Sequence, residues 1–204
     1  MTNSNNLETA TLAGGCFWCT EAIFKRLKGV QVVTPGYSGG DKPNPTYEEV
    51  CSGTTSHAEA IQIEFDPKII TFEKLLEVFF ALHDPTTLNR QDNDIGTQYR
   101  SVIFYHDDDQ KEAAQKVKER SEKSQPKAGR PLDEGTYKGP IVTEIVPIKN
   151  FFKAENYHKD YYDLNRSQPY CQLIIAPKIQ KLYRQFGKDK SISNGIPNDN
   201  NSSP

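Results

Sequence analysis

The chain contains no long apolar run, so no segment approaches the roughly 20 apolar residues that a membrane-crossing helix needs. Charge of one sign is lacking too. Lys and Arg number 25 against 27 Asp and Glu, which leaves −2 at pH 7 and an isoelectric point near 6.1. No global basic field therefore draws the protein to nucleic acid or to an anionic membrane. The first fifteen residues have neither the basic nor the apolar stretch of an export signal, so the expected location is the cytoplasm. Cysteine is sparse, at four residues, and with no export signal these are expected to be thiols, ligands or redox groups rather than structural bridges. No repeat of 20 to 50 residues recurs, which argues against a solenoid.

Apolar residues make up only 35% and the mean hydropathy is −0.71, low for a globular chain, yet Tyr and Phe number 10 each. A chain of 204 residues can build one core if its polar residues are gathered at the ends and in loops. The last eighteen residues fit that requirement, since Ile192 and Ile196 are their only apolar members. The expected organisation is a flexible N-terminus over 1–6, a single catalytic domain over 7–186 and a disordered tail over 187–204.

Within the domain, Ala22, Ile23, Phe24 and Leu27 fall at helical spacing and predict a first helix opening near Cys16 to Cys19, with Gly29 as its stop. Val30, Val32 and Val33 predict a strand, and the Gly and Pro content from Pro35 to Pro45 predicts a long loop after it. Ile61, Ile63 and Phe65 alternate with polar neighbours as a half-buried strand does. Thr71 is placed to cap a helix whose Phe72, Leu75, Leu76, Phe79 and Phe80 line one face. Strands are expected at 99–105, 141–148 and 171–176, and helices at 107–123 and 151–164. Strands and helices alternate without the strict parallel-sheet rhythm and without a Gly-rich phosphate loop. The fold class is therefore α+β, with helices packed on a mixed or antiparallel sheet.

The most informative residues are Gly15-Cys16-Phe17-Trp18-Cys19. A cysteine in the first helical turn faces unpaired N–H groups and the positive end of the helix dipole, which favour thiolate, so Cys16 is placed to be a nucleophile. Phe17 and Trp18 either line an apolar pocket over its sulfur or belong to the core. The C-x-x-C of Cys16 and Cys19 suits a dithiol pair or half a zinc site, and the isolation of Cys51 from Cys171 makes zinc the weaker option.

Five segments in this order, Gly15 to Cys19, Gly36 to Gly40, Asn44 to Gly53, His57 to Glu59 and Gly96 to Ser101, resemble the A-class peptide methionine sulfoxide reductases. The resemblance implies a ferredoxin-like α/β sandwich and reduction of methionine-S-sulfoxide, free or in oxidised proteins, as repair of oxidative damage. It implies that Cys16 attacks the sulfoxide sulfur and becomes a sulfenic acid, and that Glu59 protonates the oxygen while Tyr47 and Tyr99 hydrogen-bond it. Phe17 and Trp18 would seat the S-methyl group, and Asp94 would help to organise the site. A carboxyl in such a pocket should have a raised pKa.

Turnover then needs a second thiol. Cys19 is the first choice, standing where many members carry glycine and three residues from Cys16. Cys171 is the second choice, and Cys51 is expected to be a buried, inert thiol. Thioredoxin is the implied external reductant, no metal or organic cofactor is expected, and the protein is expected to be a monomer. Tyr157, His158, Tyr161 and Tyr162 match the family's C-terminal segment and are expected to pack on or near the pocket. His57 and His83 read as hydrogen-bonded loop histidines rather than bases.

Overall fold

The computed structural model describes residues 7–123, 137 and 139–189. Residues 1–6, the expected flexible N-terminus, and 190–204 of the tail expected over 187–204 lie outside the described residues. Gly187 and Asp189, at the start of the expected tail, are hydrogen-bonded to Tyr183 and Phe186, and the Asp189 carboxylate sits 2.8 Å from Lys74.

The centre is a six-stranded mixed sheet with the order β7-β6-β1-β3-β2-β8. Its strands are β1 (Glu8–Gly14), β2 (Val30–Ser38), β3 (Ala58–Phe65), β6 (Ser101–Tyr105), β7 (Glu144–Pro147) and β8 (Phe152–Lys153). All pairings are antiparallel except β6 with β7. A separate two-stranded hairpin joins β4 (Arg90–Gln91) to β5 (Asp94–Ile95). The α+β class and the mixed sheet read from the sequence are thus the observed ones.

The period of two along the strands sorts the side chains into two faces. Leu12, Ile61, Ile63, Phe65 and Ile103 point into the main core, where α1 (Phe17–Phe24) and α3 (Phe72–Leu82) cover them. Ala13, Ala58, Ala60, Val102 and Phe104 make a smaller second cluster on the opposite face, covered by Val146, Ile148 and Phe151. Thr71 caps α3 as expected, its side chain accepting the Lys74 N–H at 3.2 Å. The amphipathic α4 (Asp108–Lys123) buries Gln110, Ala114 and Val117.

Three expectations are corrected. β2 does not stop at Val33 but runs on through Pro35 and Gly36 to Ser38, paired along β3. Gly36 serves close approach rather than a turn, because a Cβ there would lie 2.4 Å from the Phe152 carbonyl oxygen of β8. The segment 151–164, expected to be one helix, is β8, a 3-10 turn over Asn156–His158 and the short α5 (Tyr161–Leu164). Asp160, in the left-handed region at φ 57°, breaks it.

The strand expected at 171–176 is a π-helical turn, Cys171–Ile175, that leads into α6 (Ala176–Phe186). Its buried residues recur at helical spacing, Cys171, Ile175, Ile179 and Leu182, while Leu173, which a strand would have buried beside them, is 73% exposed. β1, central in the sheet, and α6 have no counterpart in the sequence reading. Among the described residues no helix is long and apolar enough to cross a membrane.

Candidate active site

Cys16 sits at the N-cap of α1, between the end of the central strand β1 and the first helical turn. Its carbonyl accepts the N–H groups of Cys19 at 3.1 Å and Thr20 at 3.4 Å, which starts the helix. Gly15 just before it has φ +87°, and a Cβ there would fall 2.6 Å from the Gln91 side chain. Glycine is thus what lets the β4–β5 hairpin lie against the entrance to α1.

Glu59 lies on β3 opposite Tyr37 of β2, within the sheet rather than at its edge, and is 1% exposed. Its carboxylate accepts the Phe17 N–H at 3.0 Å, so it occupies the first turn of the helix that Cys16 caps. Burial, reinforced by the neighbouring Cys16, pushes the Glu59 pKa well above the ordinary carboxylate range. A neutral carboxylic acid has a proton that it can donate.

The two thiols of the C-x-x-C stand in contact in one buried cluster at the helix start. Burial raises the Cys16 thiol, and its contact with Cys19 raises it further. Cys19 is the one lowered, first by its hydrogen bond with Cys16 and then by the positive charge of Lys178. Cys16, Cys19 and Cys171 share one buried cluster with Ala22, Ile175 and Ile179. Cys171 is fully buried, and burial raises its thiol. Cys51 is only half-buried rather than buried, and its thiol too is raised by burial.

Aromatic groups enclose this centre. Phe17, 1% exposed, belongs to the core, with its ring 5.9 Å from Tyr37, 6.3 Å from Tyr47 and 4.9 Å from His158. Trp18 keeps a partly open face and stacks on Tyr161 at 3.7 Å, while its indole N–H donates to His158 Nδ1 at 3.0 Å. Tyr47 opens α2 (Tyr47–Cys51) behind a capping box of Thr46 and Glu49. Tyr99 ends the 3-10 turn that follows the hairpin. Burial raises both phenols, which therefore keep their protons.

Asp94, on β5, accepts the Tyr170 hydroxyl at 3.2 Å, and that hydroxyl lies 3.9 Å from Cys19 Sγ. Burial raises the Asp94 carboxyl. The aspartate therefore stands on the Cys19 side of the centre. His57 uses Nδ1 to accept the Gly40 N–H and Nε2 toward the Lys42 carbonyl. His83 is held between the Phe79 carbonyl and Ser101 Oγ, with its pKa lowered to about 4 by burial. Both histidines are hydrogen-bonded, as their sequence context suggested.

Sequence reasoning missed Glu155, which accepts the Tyr37 hydroxyl at 2.8 Å and the Tyr47 N–H at 2.9 Å, and so ties β2 to α2. It also missed Tyr170, whose hydroxyl stands between Asp94 and Cys19, and Lys178, which pairs with Asp92. Among the described residues no three His, Cys, Asp or Glu side chains gather as metal ligands. A cavity of about 530 Å³ lies between α3, the hairpin and α6, with His83, Asp92 and Lys178 in its lining.

Residues 8–191 match the family model of the peptide methionine sulfoxide reductases. The chain is 53% identical to the peptide methionine sulfoxide reductase MsrA of Sulfolobus acidocaldarius, over 91% of this chain and 99% of that one. It is 50% identical to MsrA of Thermus thermophilus, over 88% and 95% respectively. Among solved structures, reduced Mxr1 of Saccharomyces cerevisiae superposes with a TM-score of 0.72 at 36% identity, covering 84% of this chain and 92% of that one. A second Mxr1 structure, in complex with Trx2, has a TM-score of 0.52 at 26% identity and covers 79% of this chain and 88% of that one. With a family match across most of its length and relatives near half identity, the chain belongs to the A-class peptide methionine sulfoxide reductases.

Proposed function

We propose that the enzyme reduces the S epimer of methionine sulfoxide, free or in oxidised proteins, with Cys16 as nucleophile and Glu59 as acid. The observation that carries the reading is the Phe17 N–H to Glu59 bond at the start of α1, which holds a neutral carboxyl beside the Cys16 thiol. Cys16 attacks the sulfoxide sulfur, and Glu59 gives its proton to the oxygen and recovers one from the thiol. The attack forms a bond between Cys16 Sγ and the substrate sulfur; the protonated oxygen then passes from that sulfur to Cys16 Sγ, and the S–S bond breaks with its electron pair on the departing sulfide, which leaves Cys16 as sulfenic acid. One thiol is oxidised by two electrons as one sulfoxide is reduced. Tyr47 and Tyr99 remain protonated and so can donate to the oxygen, and the open face of Trp18 with Phe17 beneath it offers the S-methyl group an apolar seat.

Cys19 then attacks the sulfenic acid and a Cys16–Cys19 disulfide forms, with Cys171 as the second choice for that role. Thioredoxin reduces the disulfide, a partner supported by the yeast Mxr1 and Trx2 complex. The cycle as proposed draws on protein thiols alone, in a cytoplasmic and monomeric enzyme. The test is incubation of prereduced protein with separate S and R epimers of a blocked methionine sulfoxide, counting methionine per chain without reductant. One equivalent from the S epimer alone is expected, none from Cys16→Ser, and continued cycling only when thioredoxin is added. Methionine production by Cys16→Ser overturns the assignment.

A further inference from the structure

Lys178 has no part in the sulfoxide step, yet it is placed as a functional lysine would be. It sits in the first turn of α6 with its side chain 19% exposed, and its ammonium is 2.9 Å from Asp92 Oδ2 at the tip of the β4–β5 hairpin. On its inner side it lines a narrow cavity shared with Gly14, Cys19, Thr20 and His83. On its outer side it borders the cavity of about 530 Å³. A lysine held this far from water needs negative charge near it. Asp92 supplies one, and the structure offers Cys19 as the other. Burial alone would lower the lysine, but the charges of Cys19 and Asp92 outweigh it and keep it an ammonium.

The remaining groups around Cys19 do not supply that charge balance. Cys16 presents a thiol and Tyr170 a phenol, each kept protonated by burial. Cys171 is likewise a buried thiol, and His83 is neutral near pH 7. The Asp94 carboxyl is occupied by Tyr170 and opposes a second negative charge. Among the described residues, Lys178 is therefore the cation that lines the same narrow cavity as Cys19 and lowers its thiol.

We propose that Lys178, fixed by Asp92, is the positioning residue of the resolving step and arms Cys19 for attack on the Cys16 sulfenic acid. The proposal rests on Cys19 being the resolving thiol. A sulfur lone pair of Cys19 forms the S–S bond, the S–O bond of the sulfenic acid breaks, and the departing hydroxide takes a proton from solvent to leave as water. The Cys16 sulfur is reduced from sulfenic to disulfide level while Cys19 is oxidised to it. Lys178 remains an ammonium throughout and stabilises the attacking sulfur until its charge is consumed in the bond.

The test begins with the thiolate absorbance of Cys16→Ser protein, which leaves Cys19 in place with a hydroxyl donor beside it. The background of the Cys16→Ser, Cys19→Ser protein is subtracted. Adding Lys178→Met, or Lys178→Gln should the first variant fold poorly, raises the Cys19 midpoint by about one pH unit, and Lys178→Arg restores it. In protein with both thiols, Lys178→Met slows disulfide formation after one sulfoxide equivalent by about threefold at pH 6.5. The loss of thiolate exceeds the gain in nucleophilicity there, and the deficit vanishes above the new midpoint. An unchanged Cys19 midpoint, or a deficit equal at every pH, overturns the proposal. If Cys19→Ser continues to cycle with thioredoxin, the resolving assignment itself has failed, and the Cys19 titration distinguishes that failure from a failure of Lys178.

Discussion

Glu59 is a buried carboxyl group in the middle of a sheet; it accepts the Phe17 N–H, and burial followed by the neighbouring Cys16 raises its pKa. Such a group is stable as the neutral acid, and its proton is what the sulfoxide oxygen requires. Glu59→Gln keeps the size and the acceptor for Phe17 but has no proton to give. Its first turnover is expected to slow by roughly 10²- to 10⁴-fold in rapid-quench measurements of methionine formed. Because the working form is protonated, the parent rate should fall as pH rises through the raised pKa of Glu59, and the variant should lack that limb. A variant with the parent rate and the same alkaline limb would remove Glu59 from the role. At this scale the legible residue was Cys16, since a cysteine after two glycines at a helix start carries a local signal. Glu59 gained its role only through resemblance, although the period of two sets it on the inward face with Ile61, Ile63 and Phe65, because position on a face says nothing of chemistry. Tyr170 and Glu155 meet Cys19 and Tyr47 across 151 and 108 residues, and nothing local marks such pairs.

At the scale of elements, α3 was readable because its cap and its apolar period agree, whereas β1 was not. Its sequence Glu-Thr-Ala-Thr-Leu-Ala-Gly has little β propensity of its own and becomes a strand by pairing with β3 and β6 on both sides. The segment from Ala154 to Leu164 was misread for a related reason, since it acts as a strap fixed by distant charges. Glu21 of α1 accepts the Asp160 N–H, Lys25 pairs with Asp160 and Asp163, and Arg26 meets Asp163 at 2.8 Å. These bonds hold Asp160 left-handed and set Tyr161 flat on Trp18. Asp163→Asn loses the charge that Lys25 and Arg26 share. Partial exposure screens the pair, so the expected cost is about 1 to 2 kcal/mol in denaturant midpoints at pH 7. Trp18 is the only tryptophan, so its emission should shift to the red as Tyr161 lifts. Parent-like emission and stability together would show that the strap is held by other contacts.

For the whole molecule, the perturbed groups fall into two sets that act oppositely on stability. Glu21, Glu59 and Asp94 have pKa values raised chiefly by burial, Glu21 to about 7, whereas His83, His106 and His158 are lowered by burial, His83 to about 4. Between their unfolded and folded values the three carboxyls bind more protons in the fold, so their contribution declines as pH rises. The imidazoles bind fewer protons in the fold, so theirs grows over the same range. From about pH 4.5 to 6.5 the two sets oppose each other, and the denaturant midpoint should be nearly flat. Below that window Asp163, depressed to about 2 by Lys25 and Arg26 against the effect of burial, loses its contribution as it protonates, and stability should fall. Glu21→Gln removes one declining contribution while keeping an oxygen for the Asp160 N–H. Its stability relative to the parent should therefore rise with pH by up to roughly 1.4 kcal/mol per unit between the unfolded and folded values of Glu21, and stay higher above pH 7, where the parent carries a buried charge. Parallel curves for parent and variant from pH 4 to 8 would mean that Glu21 ionises in the fold as it does in the unfolded chain. The balance would then rest on Glu59 and Asp94, the two carboxyls on either side of the Cys16 and Cys19 pair.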